Sequence, residues 1–537
     1  MAKLSMEFSF FQTLFFLFCR VVFRQSKNHK SLHRNVSNIH ANEGKYHKYP
    51  SFVHRSNLSN QTLVFSVEEA LLKSSSLFPY FMLVAFEAGG LLRAFILFVL
   101  YPILCLVSEE MGLKIMVLVC FFGIKKKSFR VGSAVLPKFF LEDVGLEPFE
   151  MLKKGGKKVA VSKIPQVMIE SFLKDYLEID FVVGRELKEF CGYFLGVMEE
   201  KKRSKAALDE IIGSESMGFD VIGISGLKKS LDYHFFSHCK EIYQVRKADK
   251  RNWRHVPRQE YSKPLIFHDG RLALRPTLVA SLTMFVWFPF GLALSILRAV
   301  VGLMLPYKIS IPLLAYSGLH LFLSTPESSL HPLSLPNSKK QNPKGRLYVC
   351  NHRTLLDPVY LSFALQKDLT AVTYSLSRIS ELLAPIKTVR LARDRDQDGK
   401  MMEKMLNLGD LVVCPEGTTC REPYLLRFSP LFSEMSDDIV PVAMDSNVSL
   451  FYGTTASGLK CLDPLFFLMN PRPIYTVQIL DGVSGLYTCH DGQRSRFKVA
   501  NQVQNEIGKA LGFECTKLTR RDKYLIMAGN EGIISQT

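Results

Sequence analysis

The chain has 537 residues, which is more than one hydrophobic core needs. Of these residues 47% are hydrophobic and 22% are charged, a composition that excludes an intrinsically disordered protein. The 68 Lys and Arg residues against 50 Asp and Glu residues give a net charge of +18, which favours nucleic acid, anionic lipid or phosphorylated metabolites as partners. The 11 cysteines form no CxxC motif, which argues against a zinc ribbon or a dithiol redox centre and favours a reducing compartment.

Residues 1–60 are predicted to form a basic N-terminal segment. Within it, residues 24–55 are rich in Lys, Arg, His, Ser and Asn, and Glu43 is their only acid. This composition favours a mobile arm on anionic lipid, and the alternative is part of an organelle-targeting leader. Residues 8–18 have the length of a signal-peptide core, but the bulky sequence CRVVFRQ follows, so a cleaved secretory signal is not expected.

Residues 61–256 are predicted to form an α/β domain. Short apolar runs typical of buried strands, TLVFSV, KKVAVS, DFVVG and FDVIGIS, alternate with segments of helical character such as PQVMIESFLKDYL. The apolar insert at 77–124 is interrupted by charged residues. These charges favour short or re-entrant membrane-associated segments over one clean span, and buried core helices are the alternative.

Residues 257–330 are predicted to hold a membrane hairpin. Its first span is the run of 21 uncharged residues at 277–297, bracketed by Arg275 and Arg298, and its second span is the uncharged run at 309–326. About 20 apolar residues cross the hydrocarbon core of a bilayer. A pair of buried core helices is the alternative, because length alone separates the two interpretations.

Residues 331–537 are predicted to form a second α/β domain that holds the catalytic residues. The strand-like run LYVC leads into NHRTLLDP, which places His352 and Asp357 on a strand-to-helix turn. This spacing lets the carboxylate orient the imidazole and stabilise its protonated form. His352 is therefore the candidate general base for a substrate hydroxyl, with Asp357 as its partner. The alternative for Asp357 is a helix N-cap ahead of Pro358.

Further along the domain, cations and a turn suggest a substrate site. Arg393, with Arg390 and Arg421, is predicted to bind a phosphate group through forked hydrogen bonds. A solvated face of alternating charge is the alternative for Arg390. In the block PEGT, Gly417 is predicted to let the backbone approach substrate and Glu416 to bind acceptor hydroxyls, with a plain turn as the alternative. The apolar strand IVPVAM follows.

These residues are compatible with acyl transfer from a thioester, the reaction implied by the family resemblance described next. A thioester is already activated, so the reaction needs a general base, an anion site and donors for the developing oxyanion, and it needs no covalent nucleophile. A positively charged surface also suits coenzyme A, which carries several phosphates.

The blocks NHxxxxD, the basic strand end, PEGT and VPVA occur in the order seen in the glycerolipid acyltransferase family. The PEGT block continues as GTTCREP, and the first domain contains the segments SLFPYFMLVAFEAGG and FFSHCKEIY. With these features the chain resembles the land-plant sn-2 glycerol-3-phosphate acyltransferases over roughly residues 61–525. The resemblance implies a Rossmannoid domain like that of the haloacid-dehalogenase (HAD) phosphatases, membrane helices, and an α/β acyltransferase domain of the PlsC type.

The resemblance also implies that the HAD-like domain is inactive. Active members carry DxDGT at the end of the first strand, where this chain has SVEEA, so Ser66 replaces the nucleophile and Glu68 the acid. Ser162 stands at the phosphate-binding hydroxyl of the second motif, and Gly226 stands where the first magnesium-binding carboxylate is expected. Without converging carboxylates no metal site is predicted. A working phosphatase that uses other residues is the alternative.

The function implied by the resemblance is transfer of an acyl group from acyl-CoA to the sn-2 hydroxyl of glycerol 3-phosphate. The product would be lysophosphatidic acid, made without release of phosphate, for cutin, suberin or related lipids. Acyl-CoA is then a co-substrate rather than a cofactor, the lipid bilayer is a partner, and nucleic acid is not.

The implied location is the endoplasmic reticulum membrane, as an integral protein with its catalytic domain facing the cytosol, and a mitochondrial membrane is the alternative. Two other functions stay open, a lysophospholipid acyltransferase and a catalytically inert membrane scaffold.

Overall fold

The computed structural model describes residues 46–49, 52, 58, 61–200, 206, 208, 210, 220–226, 239–326, 345–374, 381, 384–436, 438–483 and 495–529. The chain divides into two compact units. The first comprises Met1–Pro264 with Pro276–Ser281, and the second comprises Leu265–Arg275 with Leu282–Thr537. Nearly all of the predicted basic segment at 1–60 lies outside the described residues.

A parallel β-sheet forms the centre of the first unit. The strands of this unit are β1 (Tyr46–Lys48), β2 (Thr62–Ser66), β3 (Lys158–Pro165), β4 (Phe181–Arg185), β5 (Leu187–Phe190), β6 (Tyr193–Met198), β7 (Val221–Gly226) and β8 (Glu241–Val245). Within the described residues the sheet order is β1-β8-β7-β2-β3-β4, with every pair parallel, while β5 and β6 form a separate antiparallel pair. All four predicted strand runs are therefore confirmed.

Helices connect and flank these strands. They are α1 (Phe78–Val99), α2 (Tyr101–Leu106), α3 (Glu109–Phe121), α4 (Val131–Ala134), α5 (Leu136–Leu141), α6 (Leu146–Lys154), α7 (Gln166–Ser171) and α8 (Lys247–Asn252). A π-helical turn at Val67–Leu71 follows β2, and another at Phe172–Tyr176 continues α7. The predicted helical segment PQVMIESFLKDYL corresponds to α7 and this second turn.

The insert predicted at 77–124 is broken into α1, α2 and α3, as its charged residues indicated. Within α1 the backbone leaves helical geometry at Gly90, where φ is +77°. The side chains of Phe78–Phe86 are all buried, whereas Leu92 and Phe95 are exposed. The first part of α1 therefore belongs to the core, as the alternative predicted. The second part presents apolar surface, and its association with a membrane stays a prediction.

A mixed β-sheet organises the second unit. Its strands are β9 (His320–Ser324), β10 (Leu347–Cys350), β11 (Thr370–Thr373), β12 (Lys387–Arg390), β13 (Leu411–Val413), β14 (Tyr424–Leu425), β15 (Ile439–Asn447), β16 (Ile474–Ile479) and β17 (Glu514–Cys515). Among the described residues the sheet order is β12-β11-β13-β10-β15-β16-β9, and β14 pairs with β17 separately. The central strand β10 is parallel to β13 and β15, so the carboxyl ends of these strands meet at one edge, where ligands usually bind in α/β sheets.

The helices of the second unit precede its first strand, connect its strands or follow its last strand. They are α9 (Leu278–Met304), α10 (Tyr307–Tyr316), α11 (Asp357–Leu365), α12 (Arg395–Leu406), α13 (Asp463–Leu468), α14 (Arg496–Leu511) and α15 (Arg520–Ala528). One core cluster packs around Leu347, Val349, Leu411 and Ile439. A second cluster packs around Tyr348, Cys350, Val412 and Val442, so alternate residues of β10 face opposite sides of the sheet.

The predicted membrane hairpin is wrong in its second span, and its first span stays a prediction. The run at 277–297 lies in α9, which is long and apolar enough to cross a bilayer, as is α1. The run at 309–326 does not form a second span. It holds most of the ten-residue helix α10 and then β9, which pairs with β16 in the catalytic sheet. The helix is too short to cross about 30 Å of hydrocarbon, and the second unit therefore begins before the predicted boundary at residue 331.

Arg298 does not simply mark the end of a membrane span, as the sequence suggested. Its side chain is 2% exposed, and its guanidinium donates to the main-chain oxygens of Leu468, Asn470 and Ser317 at 2.7, 2.7 and 2.5 Å. Its charge is therefore satisfied by carbonyl groups of the loop after α13 and of the end of α10. These hydrogen bonds fix α9 to the rest of the second unit.

Candidate active site

The central strand β10 ends directly at the predicted catalytic block. The first residue after it, Asn351, is fully buried, and its side-chain amide bridges to β15 by accepting from the N–H of Met444 at 2.7 Å and donating to its C=O at 2.8 Å. These two hydrogen bonds fix the turn to the neighbouring strand. The asparagine of NHxxxxD therefore has a structural role, and it sets the position of His352.

His352 and Asp357 form the predicted pair. His352 Nδ1 lies 2.8 Å from Asp357 Oδ2. An ionised carboxylate only accepts hydrogen bonds, so Nδ1 carries the proton and Nε2 is left as the basic nitrogen. The histidine side chain is 15% exposed and the aspartate side chain is fully buried. The turn therefore presents a reactive imidazole supported by a buried acid.

The Asp357 carboxylate is fixed from several directions. Oδ2 accepts the N–H groups of Arg353 at 2.6 Å and Thr354 at 3.1 Å, and Oδ1 accepts the hydroxyl of Tyr475. Helix α11 begins at Asp357 itself, Leu356 occupies the N-cap, and no side chain caps the helix. The alternative in which Asp357 is an N-cap is therefore wrong.

The environment of His352 favours its protonated form. Burial lowers the pKa of the ring, Cys414 and the hydrogen bond with Asp357 raise it, and the net pKa lies well above that of an ordinary histidine. The thiol of Cys414 is 3.4 Å from the sulfur of Cys350, and this contact and burial raise its own pKa well above the usual range. A neutral thiol carries no charge, so Asp357 is the group that stabilises the imidazolium.

His352, Asp357 and Cys414 also place one potential ligand atom each within 4.8 Å of the others. Imidazole, thiolate and carboxylate are donors that zinc accepts. The raised pKa of Cys414 disfavours the thiolate, and the Asp357 oxygens are already engaged by N–H groups and a hydroxyl. The three residues therefore fit a hydrogen-bonded base better than a metal site.

The prediction that Glu416 binds acceptor hydroxyls does not fit its contacts. Its side chain is buried, Oε1 accepts the N–H of His352 at 2.8 Å, and Oε2 accepts the N–H of Leu426 at 3.0 Å. Burial raises the pKa of this carboxyl group to about 7, although both N–H groups oppose the shift. Glu416 is therefore a positioning residue that ties the PEGT turn to the backbone of the base.

Gly417 has a backbone conformation that suits glycine. Its φ is +66°, in the left-handed region that other residues rarely adopt, and a Cβ built there would meet nothing within 4 Å. The open space beside it agrees with the predicted close approach of substrate. The plain-turn alternative accounts for the conformation equally well, so the role of Gly417 stays a prediction.

Arg393 occupies an unusual turn after β12. Its φ is +69°, and the turn is held by the buried carboxylate of Asp398, which accepts the N–H of Ala392 at 2.8 Å and of Arg393 at 3.1 Å. Because a left-handed backbone at a non-glycine residue is strained, Asp398 must stabilise it. The Arg393 side chain is exposed. This arrangement is compatible with the predicted role in phosphate binding.

The other two predicted phosphate ligands have different partners. Arg390 is half exposed and donates to Glu381 Oε1 through Nε at 3.0 Å and Nη2 at 2.8 Å, as the alternative of a charged surface predicted. Arg421 is buried, donates to the C=O groups of Gly270 and Thr454, and lies 4.2 Å from the centre of the Tyr452 ring. Arg421 thus has a structural role in joining its own loop to the main chain at Gly270 and Thr454. Its predicted contact with substrate phosphate is not supported.

Sequence reasoning missed several residues of this site. Tyr475, from β16, bonds Asp357 although it lies more than a hundred positions away, and no local motif marks it. Arg353 donates to the C=O groups of Cys420 and Glu422 at 2.8 Å each. The cation inside NHRTLLDP and the loop TCREP together were a signal for this contact. Cys414, just before PEGT, was not predicted as part of the site.

In the first unit, the predicted degenerate positions do come together. Ser66, Ser162 and Gly226 lie at or near the carboxyl ends of β2, β3 and β7. The Glu68 carboxylate accepts the Ser162 hydroxyl. A Cβ at Gly226 would lie 2.6 Å from a Glu69 oxygen, so no carboxylate fits there without displacing that side chain.

Comparison with known proteins agrees with both units. A family model described as "Acyltransferase" matches residues 335–445, and one described as "Glycerol-3-phosphate acyltransferase RAM2-like, HAD-like domain" matches residues 62–245. The chain is thus an acyltransferase with a HAD-like domain, and the expected fold class is confirmed.

Related proteins place the chain more closely. It is 58% identical to "Probable glycerol-3-phosphate acyltransferase 3" of Arabidopsis thaliana over 99% of this chain and all of that protein. It is 59% identical to "Probable glycerol-3-phosphate acyltransferase 2" of the same plant, over 92% of this chain and 94% of that protein. With "Glycerol-3-phosphate acyltransferase RAM2" of Petunia hybrida it shares 41% identity over 87% of this chain and 97% of that protein. The chain belongs to the plant glycerol-3-phosphate acyltransferase family.

Proposed function

We propose that this protein transfers an acyl group from acyl-CoA to the sn-2 hydroxyl of glycerol 3-phosphate and releases lysophosphatidic acid and free coenzyme A. The observation that carries the proposal is the His352–Asp357 pair at the carboxyl end of β10, with a 2.8 Å contact and a fully buried acid. Family membership supports the acceptor. The donor and the sn-2 position are supported by the resemblance of the sequence blocks.

The reaction begins with proton transfer to His352. Nε2 accepts the proton of the substrate hydroxyl while the hydroxyl oxygen attacks the carbonyl carbon of the thioester. The Asp357 carboxylate balances the positive charge that develops on the ring, and Tyr475 and the Thr354 N–H hold that carboxylate in place. The tetrahedral intermediate then collapses, the carbon–sulfur bond breaks, and the imidazolium returns its proton to the coenzyme A thiolate.

The phosphate of the acceptor is bound by Arg393 in this proposal. The strained turn held by Asp398 presents this exposed cation near the same edge of the sheet as His352. A guanidinium binds a phosphate through two parallel hydrogen bonds. Arg390 and Arg421 are left out of the site because each has other partners.

The phosphate group of the product stays attached in this proposal. A serine at position 66 cannot form the aspartyl-phosphate of the HAD phosphatases, and Gly226 supplies no metal-binding carboxylate. The proposed product is therefore lysophosphatidic acid rather than monoacylglycerol, with use in cutin, suberin or related lipids.

The proposed location is the endoplasmic reticulum membrane, with the catalytic unit facing the cytosol. Two apolar helices, α1 and α9, support association with a bilayer. Exposed Val286, Phe290 and Ile296 on α9 also suit a lipid environment. A mitochondrial membrane is the alternative, and a fluorescent fusion imaged with markers of both membranes separates the two.

Product analysis tests the proposed reaction. Purified protein in detergent, supplied with glycerol 3-phosphate and acyl-CoA, should form 2-acyl lysophosphatidic acid, resolved from its positional isomer by mass spectrometry, with no inorganic phosphate. Faster acylation of a lysophospholipid would favour the first alternative function, and no turnover with either acceptor would favour the scaffold. Release of phosphate would contradict the inactive phosphatase unit.

A further inference from the structure

The first unit contains a small cradle of hydrogen-bond donors near the carboxyl ends of β2 and β3. Strand β3 pairs regularly with β4 up to Val161, and its register shifts before Pro165. This irregularity leaves the N–H groups of Lys163 and Ile164 outside the regular ladder. The Ser162 hydroxyl lies beside them, 3.1 Å from the Ile164 nitrogen. Convergent main-chain N–H groups of this kind bind oxyanions in many proteins.

A side chain of the protein occupies this cradle. Oε1 of Glu68 accepts the Ser162 hydroxyl, the N–H of Lys163 at 2.9 Å and the N–H of Ile164 at 3.3 Å. Glu68 is 8% exposed and belongs to the π-helical turn after β2. Lys250 fixes that turn by donating to the C=O groups of Glu68 at 2.6 Å and Leu72 at 2.8 Å. One carboxylate oxygen thus stands where one oxygen of a bound oxyanion would stand.

The other oxygen of Glu68 is left over. Oε2 is buried and has no hydrogen-bond partner among the described residues. A buried polar atom without a partner costs free energy, so the cradle is not complementary to a carboxylate as a whole. It is complementary to one oxygen only, which indicates that the donors fit the corner of a larger oxyanion.

The charges around the cradle also favour an anion. Glu69 accepts from Lys163 Nζ and from the Gly226 N–H, at 2.9 Å each. Burial lowers the pKa of Lys250 to about 8, and Glu69, Asp143 and Glu68 oppose this shift. The Glu68 carboxylate is one of three carboxylates around Lys163 and Lys250, together with Glu69 and Asp143. Removal of the Glu68 charge therefore lowers the local negative charge, which favours binding of an anion.

We propose that Glu68 is an internal ligand that closes an oxyanion cradle, and that a tetrahedral oxyanion such as inorganic phosphate binds there once this carboxylate is removed. Two independent changes then keep this unit from acting on phosphate esters, the serine at position 66 and the filled cradle. The proposal concerns the first unit only and does not depend on acyl transfer by the second.

Phosphate binding by Glu68→Ala tests the proposal. The substitution deletes the side chain that fills the cradle and leaves every donor in place. Equilibrium dialysis of the full-length variant in detergent, with radiolabelled inorganic phosphate, should show one more binding site per chain than the wild type. We expect about tenfold tighter binding than any wild-type site in this unit, equal to about 1.4 kcal/mol. Adding Ser162→Ala should remove that gain.

Glu68→Gln is the matched control. Its amide oxygen can still accept from Ser162, Lys163 and Ile164, so the cradle stays filled and no extra site should appear. Far-UV circular dichroism and a cooperative thermal unfolding transition establish that each variant is folded, and neither readout depends on acyl transfer by the second unit. A folded Glu68→Ala protein without an extra site overturns the proposal, as does equal phosphate binding by the wild type.

Thermal unfolding covers the case in which Glu68→Ala is destabilised. A ligand that binds only the folded state raises the melting temperature in proportion to the logarithm of its concentration. Phosphate should therefore raise the melting temperature of Glu68→Ala more than that of the wild type or Glu68→Gln, with chloride at equal ionic strength as reference. Equal shifts in all three proteins overturn the proposal.

Discussion

Replacing Asp357 by Asn isolates the charge that supports the catalytic base. The geometry allows the amide to bind almost as the carboxylate does. Its oxygen can take the place of Oδ2, which accepts His352 Nδ1–H and the N–H groups of Arg353 and Thr354. Its NH2 group then faces the hydroxyls of Tyr475 and Thr354, which can turn to accept. The imidazole therefore keeps its tautomer and loses only the charged partner.

The size of the effect follows from that single loss. A hydrogen bond to a charged group contributes about 1.5–3 kcal/mol, against about 1 kcal/mol for a neutral one. Replacing the charged hydrogen bond by a neutral one removes about 0.5–2 kcal/mol of transition-state stabilisation, which corresponds to a fall of about 2- to 30-fold in kcat/KM. The pKa of His352 should also fall, because burial then lowers it without the opposing carboxylate.

The assay is the pH dependence of kcat/KM for glycerol 3-phosphate, measured with purified wild-type and Asp357→Asn protein. The acid limb of the variant should lie at lower pH than that of the wild type, with a lower plateau. An acid limb that stays in place, or one that moves to higher pH, would refute the assignment of Asp357 as the charge that stabilises the imidazolium.

Three further predictions concern neighbouring residues. The pKa of His352 lies above 6.5, and only the neutral imidazole accepts a proton. Wild-type kcat/KM should therefore rise with pH through a midpoint above 6.5. A midpoint below that value in a pH–rate profile contradicts the role of Asp357. In Glu416→Gln the amide NH2 group faces the N–H of His352 or Leu426, which has then lost its acceptor. Because this displaces the backbone of the base, kcat should fall at nearly constant KM for glycerol 3-phosphate. The free energy of unfolding should fall by about 1–3 kcal/mol. Folding raises the pKa of Glu416 from 4.5 to about 7, so the protonated carboxyl group stabilises the folded state. This stabilisation is fully present below pH 4.5 and is lost as the pH rises through 7. Thermal unfolding of the Gln variant should lack this pH dependence. Arg393→Ala should raise KM for glycerol 3-phosphate about 10- to 150-fold at unchanged melting temperature, whereas Arg421→Ala should lower the melting temperature; the reverse pattern would restore Arg421 as the phosphate ligand.

Local sequence patterns predicted the sheets well because parallel strands in α/β proteins are short, apolar and buried. The runs around Phe65, Ala160 and Ile224 all became neighbouring strands of one sheet. The strand β10 and the helix after Asp357 were also found where the sequence placed them. In each case burial of the local segment determines its structure, so the signal lies within a few residues.

The error in the second membrane span has a physical cause. Residues 309–326 are uncharged and mostly apolar, and such a run fits a spanning helix or a strand equally well. What separates the two is pairing with β16, which lies about 150 positions further along the chain. No local property of the run encodes that partner.

The catalytic pair was predictable because both residues lie on one turn, and their spacing fixes their geometry. The partners of the pair were not. Tyr475 reaches Asp357 from another strand, and Glu416 reaches the His352 N–H from another loop. For Arg421 the sequence predicted a role in substrate binding that the structure does not support. Its place inside a motif suggested a substrate ligand, but its side chain donates to the main-chain oxygens of Gly270 and Thr454.

Turnover of His352→Ala measures the central claim most directly. General-base catalysis contributes about 10² to 10⁴ in rate, so purified variant protein, folded by its melting temperature, should convert glycerol 3-phosphate and acyl-CoA at least about a hundredfold more slowly than the wild type. Turnover equal to that of the wild type would contradict the assignment of this imidazole as the base.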